Sequence, residues 1–251
     1  MNRAHLSVII LAAGCSRRMG TFKPLLPLGG TTVVERVVNL YRSAGIDDIR
    51  IVAGHKADEL RNAPGLRNVR CIVNHAYATG MYSSFVTGLR DLPDGCRNFF
   101  AHPVDVPMVR RSTLESLIAA SERYPADIIH PCFDGRRGHP PVVPKALTAA
   151  ILDWPGEGGL QAFWQSVDTP MRDVPVADEG VLLDLDTEED YRRLTARCKN
   201  EDLPTNEECC NLMSDVLAVP AAVRAHCQAV AAVAVKIAEA LVKTGISLNV
   251  D

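Results

Sequence analysis

Leu6-Ser-Val-Ile-Ile-Leu-Ala-Ala-Gly-Cys-Ser-Arg-Arg-Met-Gly20 is the stretch on which the fold turns. Leu6 to Leu11 is a short, nearly continuous apolar run rich in β-branched residues, as a strand buried on both faces requires. It empties into Ala12, Ala13 and Gly14, whose small side chains let the backbone approach a ligand closely. Ser16, Arg17, Arg18 and, beyond Met19 and Gly20, Lys23 then offer donors and positive charge to a polyphosphate. The spacing is neither that of the common phosphate loop, Gly-x-x-x-x-Gly-Lys-Ser/Thr, nor the Gly-x-Gly-x-x-Gly of dinucleotide folds.

Outward from this stretch the pattern alternates. Thr32 to Ala44 carries apolar residues at helical spacing and is closed by Gly45. Strand-like runs follow at 49–53, 70–73, 99–101 and 127–130, separated by helical segments at 81–89 and 112–121, the latter with Ser112 as expected cap and Glu115 three residues on. Such alternation implies βαβ units and a mostly parallel sheet. Val181 to Leu185 reads as a last strand, and Asp186-Thr187 as the cap of a helix from Glu188 to about Ala196.

The expected architecture is a three-layer, Rossmann-like α/β domain over residues 1–198, a polar linker at 199–206 containing Pro204, and a helical appendage at 207–251. In the appendage Val223, Cys227, Val230, Val233 or Ala234, Ile237 and Leu241 form an apolar stripe that needs a partner to cover it. Length and composition agree: 251 residues, 47% hydrophobic, suit one folded domain with an addition. A net charge of -3 argues against a nucleic-acid surface. Eight scattered cysteines without a Cys-x-x-Cys pair fit reduced thiols, and no uncharged apolar stretch has membrane-spanning length. With no signal-peptide pattern at the start, the expectation is a soluble cytoplasmic protein.

Taken together, the motifs resemble those of nucleotidyltransferases, and among them the molybdenum cofactor cytidylyltransferases. Leu11-Ala-Ala-Gly-x-Ser-Arg-Arg-Met-Gly20 with Lys23-Pro-Leu-Leu-Pro27 is similar to the signature loop of that family. Asn74 with Gly80-Met-Tyr-Ser83-Ser84 resembles its Asn…Gly-Met-x-x-Ser segment, and Pro103-Val-Asp105-Val-Pro107 its metal-binding turn. Gly138-His139-Pro140 resembles the segment on the acceptor side. Leu183-Asp184-Leu-Asp186-Thr-Glu-Glu-Asp-Tyr191 is similar to the late acidic motif, with Glu188 where proline is usual. The likeness covers about residues 5 to 196. Residues 203–251 resemble the start of an HD-type phosphohydrolase domain, with His226 at the first metal-ligand position, but no later ligands follow.

The resemblance implies transfer of CMP from CTP to the terminal phosphate of molybdopterin, with Mg²⁺ (or Mn²⁺) as cofactor and pyrophosphate released. Arg18 and Lys23, with Arg17, would hold the β- and γ-phosphates, and Asp105 the metal. A second metal ligand would come from Asp184 or Asp186, between which the sequence does not choose; Asp186 serves equally well as a helix cap. Leu11, Ala12, Ala13, Gly14, Ser16, Met19, Gly20, Asn74, Gly80, Ser83 and Ser84 complete the implied nucleotide site, although Ser83 or Ser84 suits a helix cap too. Gly138, His139 and Pro140 would face the pterin. Ala12-Ala13 favours cytidine over guanosine sterically. A molybdenum hydroxylase is the implied recipient of the product. Rival expectations are a guanylyl- or sugar-1-phosphate nucleotidyltransferase and a non-catalytic cofactor-delivery module. His102 reads as a hydrogen-bonded scaffold residue, and Cys15 not as a nucleophile.

Overall fold

The computed structural model describes residues 3–15 and 19–248. Leu6–Ala12 forms strand β1, every residue of it buried. Helix α1 (Val33–Ser43) returns the chain to β2 (Ile49–Ala53), and β3 (Arg70–Val73) lies beyond it. After α2 (Met81–Leu89) the chain crosses to the other side of β1 as β4 (Asn98–Pro103). There follow α3 (Arg111–Arg123), β5 (Ile128–Phe133), β6 (Arg136–Arg137), β7 (Val142–Pro144), α4 (Thr148–Asp153), α5 (Gly159–Ser166) and β8 (Met171–Pro175). These strands make one sheet in the order β8-β5-β7-β4-β1-β2-β3, with β6 paired to β5. β1 runs parallel to both β2 and β4, whereas β7 is antiparallel to β4 and β5.

The alternation along β1 divides the core. Val8, Ile10 and Ala12 belong to the cluster with Val34, Val37 and Tyr41 of α1, and with Leu114 and Leu117 of α3. Ile9 and Leu11 point the other way, into a cluster with Phe85, Leu89, Phe99 and Phe163. Burying both faces requires the unbroken apolar run seen in the sequence. Because the chain turns back at β1, the carboxyl ends of β1 and β4 flank a topological switch point, where open α/β sheets leave a crevice.

Helix starts divide between local and distant control. Thr32 and Glu35 form a capping box at α1, with Glu35 N donating to Thr32 Oγ1 at 3.3 Å and Thr32 N to Glu35 Oε2 at 2.8 Å. Ser112 is not the cap of α3. That helix begins one residue earlier, and buried Asp178 receives both the Arg110 amide (2.8 Å) and the Thr113 hydroxyl (2.6 Å). Sequence neighbours could not reveal a cap supplied from so far along the chain.

The segment expected as a last strand is instead a 3₁₀ turn, Glu179–Leu182, followed by extended chain. Asp178 folds back to accept the Gly180 amide at 3.0 Å, which closes the turn. Gly180 is pressed against α3's approach: a Cβ there would lie 2.6 Å from the Met108 carbonyl carbon and nearer still to its oxygen. Gly180→Ala should therefore overpack backbone against backbone, at a cost of about 1–3 kcal/mol. A thermal melt should show a Tm lower by roughly 2–10 °C; an unchanged Tm would mean the contact is slack.

Helix α6 (Glu188–Lys199) is capped by Thr187, reciprocally with Asp190. It runs further than expected, into the stretch read as linker. α7 (Asn206–Asn211) then continues through a π turn to Val216 and is followed by α8 (Ala221–Lys243). The apolar stripe of α8 docks on nothing among the described residues: Val223, Val230 and Ile237 are 48%, 54% and 56% exposed. By length and composition α8 is apolar enough to cross a membrane. Arg224, Lys236, Glu239 and Lys243 interrupt it, however, on the side away from the stripe, which is the pattern of a helix with one wet face.

Candidate active site

The crevice at the switch point is a cleft of about 290 Å³. One wall is Leu11, Ala12, Ala13 and Gly14, delivered by the end of β1; Lys23 and Asp105 close one side, and Gly80 and Ser84 the other. Tyr77, Met81 and Pro103 also line it, and none of the three was expected. Met81 carried a readable signal, standing directly after Gly80 in the Gly-Met-x-x-Ser segment. Ser16, Arg17 and Arg18 lie outside the described residues. Met19 packs on the core and Gly20 turns the chain with φ +66°; neither lines the cleft.

Lys23 opens a 3₁₀ turn, Lys23–Leu25, and is 9% exposed. Its ammonium donates to Asp186 Oδ1 at 2.8 Å, joining two ends of the chain. Asp105 follows β4, where the Val104 amide bonds to the Leu11 carbonyl at 3.1 Å, so the carboxylate is carried by the same ladder as the small-residue loop. The Leu185 amide donates to the Asp105 carbonyl at 2.7 Å, which brings the late acidic motif alongside. Burial pushes the Asp105 carboxyl above its ordinary range; the Asp184 and Asp186 charges add to this and Lys23 opposes it. Asp184 is raised likewise, first by burial, with Asp186 and Asp190 contributing and His139 opposing. Since Thr187 provides the cap of α6, Asp186 is not needed for that task.

A hard divalent cation fits this donor set. Carboxylates that raise one another's pKa are relieved by positive charge between them. Among the described residues no three metal-ligating side chains form a ready cage. One or two of these carboxylates, with phosphate oxygens, would be the donors to such a cation.

Asn74 and Ser83, expected in the nucleotide site, are engaged in a local hydrogen-bond network. Asn74 Nδ2 donates to Ser83 Oγ (2.9 Å) and Ser84 Oγ (3.0 Å), while its Oδ1 accepts the Ala76 amide at 2.9 Å. Ser83 Oγ is further bonded to the Gly80 carbonyl at 2.8 Å. These groups are consumed in shaping the loop ahead of α2, and only Gly80 and Ser84 of the set reach the cleft. Neither serine caps α2, whose first turn has no side-chain cap.

Gly138, His139 and Pro140 stand beside the cleft and not in its lining. Gly138 is pinned, since a Cβ would lie 2.5 Å from the Val181 carbonyl oxygen, and the His139 amide donates to that same oxygen at 2.9 Å. The His139–Pro140 peptide is cis. The ring remains open to water, yet its crowded surroundings lower its pKa, with Asp184 opposing. His102 is wholly enclosed, bonded to the Tyr41 hydroxyl (2.8 Å) and the Val106 carbonyl (2.9 Å), and burial lowers its pKa to about 4. It is therefore a neutral scaffold residue.

A larger cavity, about 580 Å³, borders Met108 and Leu183. Its arginines 36, 110, 111 and 197 are each paired with a carboxylate, of Glu201, Glu208, Glu115 and Glu208 respectively.

Comparison with known proteins agrees with this geometry. A family model described as the MobA-like NTP transferase domain matches residues 8–171. The nicotine blue oxidoreductase of Paenarthrobacter nicotinovorans is 29% identical over 196 residues, covering 74% of this chain and 94% of that protein. Rv0371c of Mycobacterium tuberculosis H37Rv superposes with TM-score 0.69 and 28% identity over 78% of this chain and 100% of its own. Its complex with manganese gives TM-score 0.65 at 27% identity, covering 76% and 98%. The molybdopterin-guanine dinucleotide biosynthesis protein A of Archaeoglobus fulgidus shares the fold, with TM-score 0.61 at 16% identity over 77% of this chain and 98% of its own.

Proposed function

The chain belongs to the MobA-like NTP transferase family, and from that premise we propose that it transfers CMP from CTP to the terminal phosphate of molybdenum-bound molybdopterin. The observation that carries this reading is the convergence of Lys23, Asp105 and Asp186 at a cleft walled by Ala12, Ala13 and Gly14. An oxygen of the acceptor phosphate attacks the α-phosphorus of CTP, and the bond from that phosphorus to the bridging oxygen breaks as pyrophosphate leaves. The work is positioning and charge neutralisation, not covalent catalysis.

In this reading Lys23 neutralises the departing pyrophosphate together with Arg18 and Arg17, and Ser16 donates to a phosphate oxygen. Asp105, with Asp186 or Asp184, holds Mg²⁺ or Mn²⁺, which when bound supplies Lewis-acid neutralisation of the phosphate charge. Gly80 and Ser84 face the nucleotide, and the methyl groups of Ala12 and Ala13 leave room for a pyrimidine in preference to a purine. Gly138, His139 and Pro140 face the acceptor, with Asp184 near His139. A molybdenum hydroxylase as recipient and a cytoplasmic setting complete the reading. His226, at the first metal-ligand position of the HD resemblance, is exposed on α8.

One observation favours a second reading. A relative aligned over 94% of its length is named an oxidoreductase, so a redox role on this scaffold is the alternative. A thermal-shift panel separates them. With Mn²⁺ or Mg²⁺ present, CTP is expected to raise Tm by several degrees and more than GTP, ATP or UTP, as tight binding to the native state requires. A larger shift with GTP would overturn the base assignment. A shift with NADH or NADPH and none with any NTP would favour the oxidoreductase.

A further inference from the structure

Glu208 lies on α7, beyond residue 171 where the family match ends. It is nonetheless only 2% exposed, which for a carboxylate demands dedicated partners. Four are present. Glu208 Oε2 accepts from Arg197 Nη2 at 2.7 Å, Arg110 Nη2 at 2.8 Å and the Thr205 amide at 2.9 Å. Oε1 accepts the Glu179 amide at 3.3 Å. The carboxylate thus joins the appendage, the end of α6, the start of α3 and the 3₁₀ turn at Glu179–Leu182.

That turn is where the consequence lies. Its next neighbours along the chain are Asp184 and Asp186. It is wedged against Met108, three residues after Asp105, by Gly180, and its Val181 carbonyl holds the His139 amide. On the other side Asp178 ties it to the Arg110 amide and Thr113 hydroxyl. One short turn therefore sets the positions of both late carboxylates and of the acceptor-side histidine, and Glu208 is the group that clasps it from the appendage.

We propose that Glu208 is a positioning residue for the nucleotidyl-transfer site, acting through the Glu179–Leu182 turn to hold Asp184, Asp186 and His139 in register with Asp105. The helical appendage is by this account a working part of the transferase and not a passive addition. The activity arm of the proposal rests on the reading given above; the structural arm does not.

The experiment compares the full chain with Glu208→Ala and Glu208→Gln, and with Phe163→Leu as a core variant in the other layer. Amide hydrogen exchange is followed at Leu185 and His139, whose N–H groups bond to Asp105 and Val181, and at Val8 and Phe100 in the sheet. Glu208→Ala is expected to speed exchange at Leu185 and His139 at least 10-fold while the sheet amides hold. Glu208→Gln, which keeps an acceptor oxygen for the arginines, should show a smaller change. Phe163→Leu should leave the Leu185-to-sheet ratio as in the parent. Mn²⁺ binding, measured by calorimetry in the presence of CTP, should weaken about 10-fold in Glu208→Ala, and kcat for pyrophosphate release should fall more than KM for CTP rises. Unchanged exchange at Leu185 and His139 overturns the proposal. Should Glu208→Ala not fold, Glu208→Gln with parental exchange and parental Mn²⁺ affinity does the same. Failure of the parent protein to turn over CTP overturns the proposed function alone, because the exchange measurement needs no substrate.

Discussion

Asp105→Asn is expected to lower pyrophosphate release from CTP by on the order of 10³-fold, which is the scale for losing a preorganised charged group from a transfer site. The substitution keeps the shape of the side chain and its place between the end of β4 and the Leu185 amide, so the loss isolates the charge. Binding of CTP without metal should change little, since the wall of Leu11 to Gly14 is untouched. Stability should move the other way from activity. In the folded protein burial, Asp184 and Asp186 all disfavour the ionised Asp105. A carboxylate whose pKa is raised on folding costs stability above its unfolded pKa, and that cost is absent once pH falls below it. At neutral pH the neutral amide removes the cost, so Tm should stay level or rise. Asp105→Asn with more than a tenth of parental turnover would place the metal-holding carboxylate elsewhere. A Tm lowered by several degrees would show that Asp105 is a structural residue.

Lys23, Asp105 and the late acidic pair lie far apart in the chain, so their meeting was not legible in sequence; they stood out only through the motifs in which they occur. The β1 run, the small-residue loop and the Thr187 cap were readable from residues close together in the chain, whereas the Thr32 cap, equally local, was not singled out. Val181 to Leu185 misled because five residues of strand-like composition are governed by contacts far along the chain: Asp178 with Arg110, Gly180 with Met108, Val181 with His139. Asn74 and Ser83 were legible as motif residues but not as a local network, in which they satisfy one another and the backbone. Glu208 was invisible because nothing in its neighbourhood of sequence foretells burial of a charge; only the arginines it meets in space do so.

Lys23→Met carries the other large expectation, a fall in turnover of about 10²- to 10³-fold. Methionine preserves the apolar stem that lets Lys23 sit 9% exposed at the head of its turn, so the fold should survive. Two roles are open to the ammonium, and they predict different arithmetic. If it acts only by holding Asp186, which it meets at 2.8 Å, then Asp186→Asn should cost as much as Lys23→Met and the double variant no more than either. If it also meets the phosphates directly, Lys23→Met should cost more than Asp186→Asn. The double variant should then fall below both singles, by less than the product of their effects. The second pattern is expected, because Lys23 lines the cleft itself. Lys23→Arg should recover little, since a planar guanidinium on a longer stem cannot reproduce a compact point charge at a buried turn. Stability gives the control. The Asp186 side chain is about a third exposed, so losing its partner should cost only about 1 kcal/mol, or roughly 2–4 °C in Tm. A larger drop in Tm, with turnover per folded molecule preserved, would make the Lys23–Asp186 pair a staple between the ends of the domain and remove it from the chemistry.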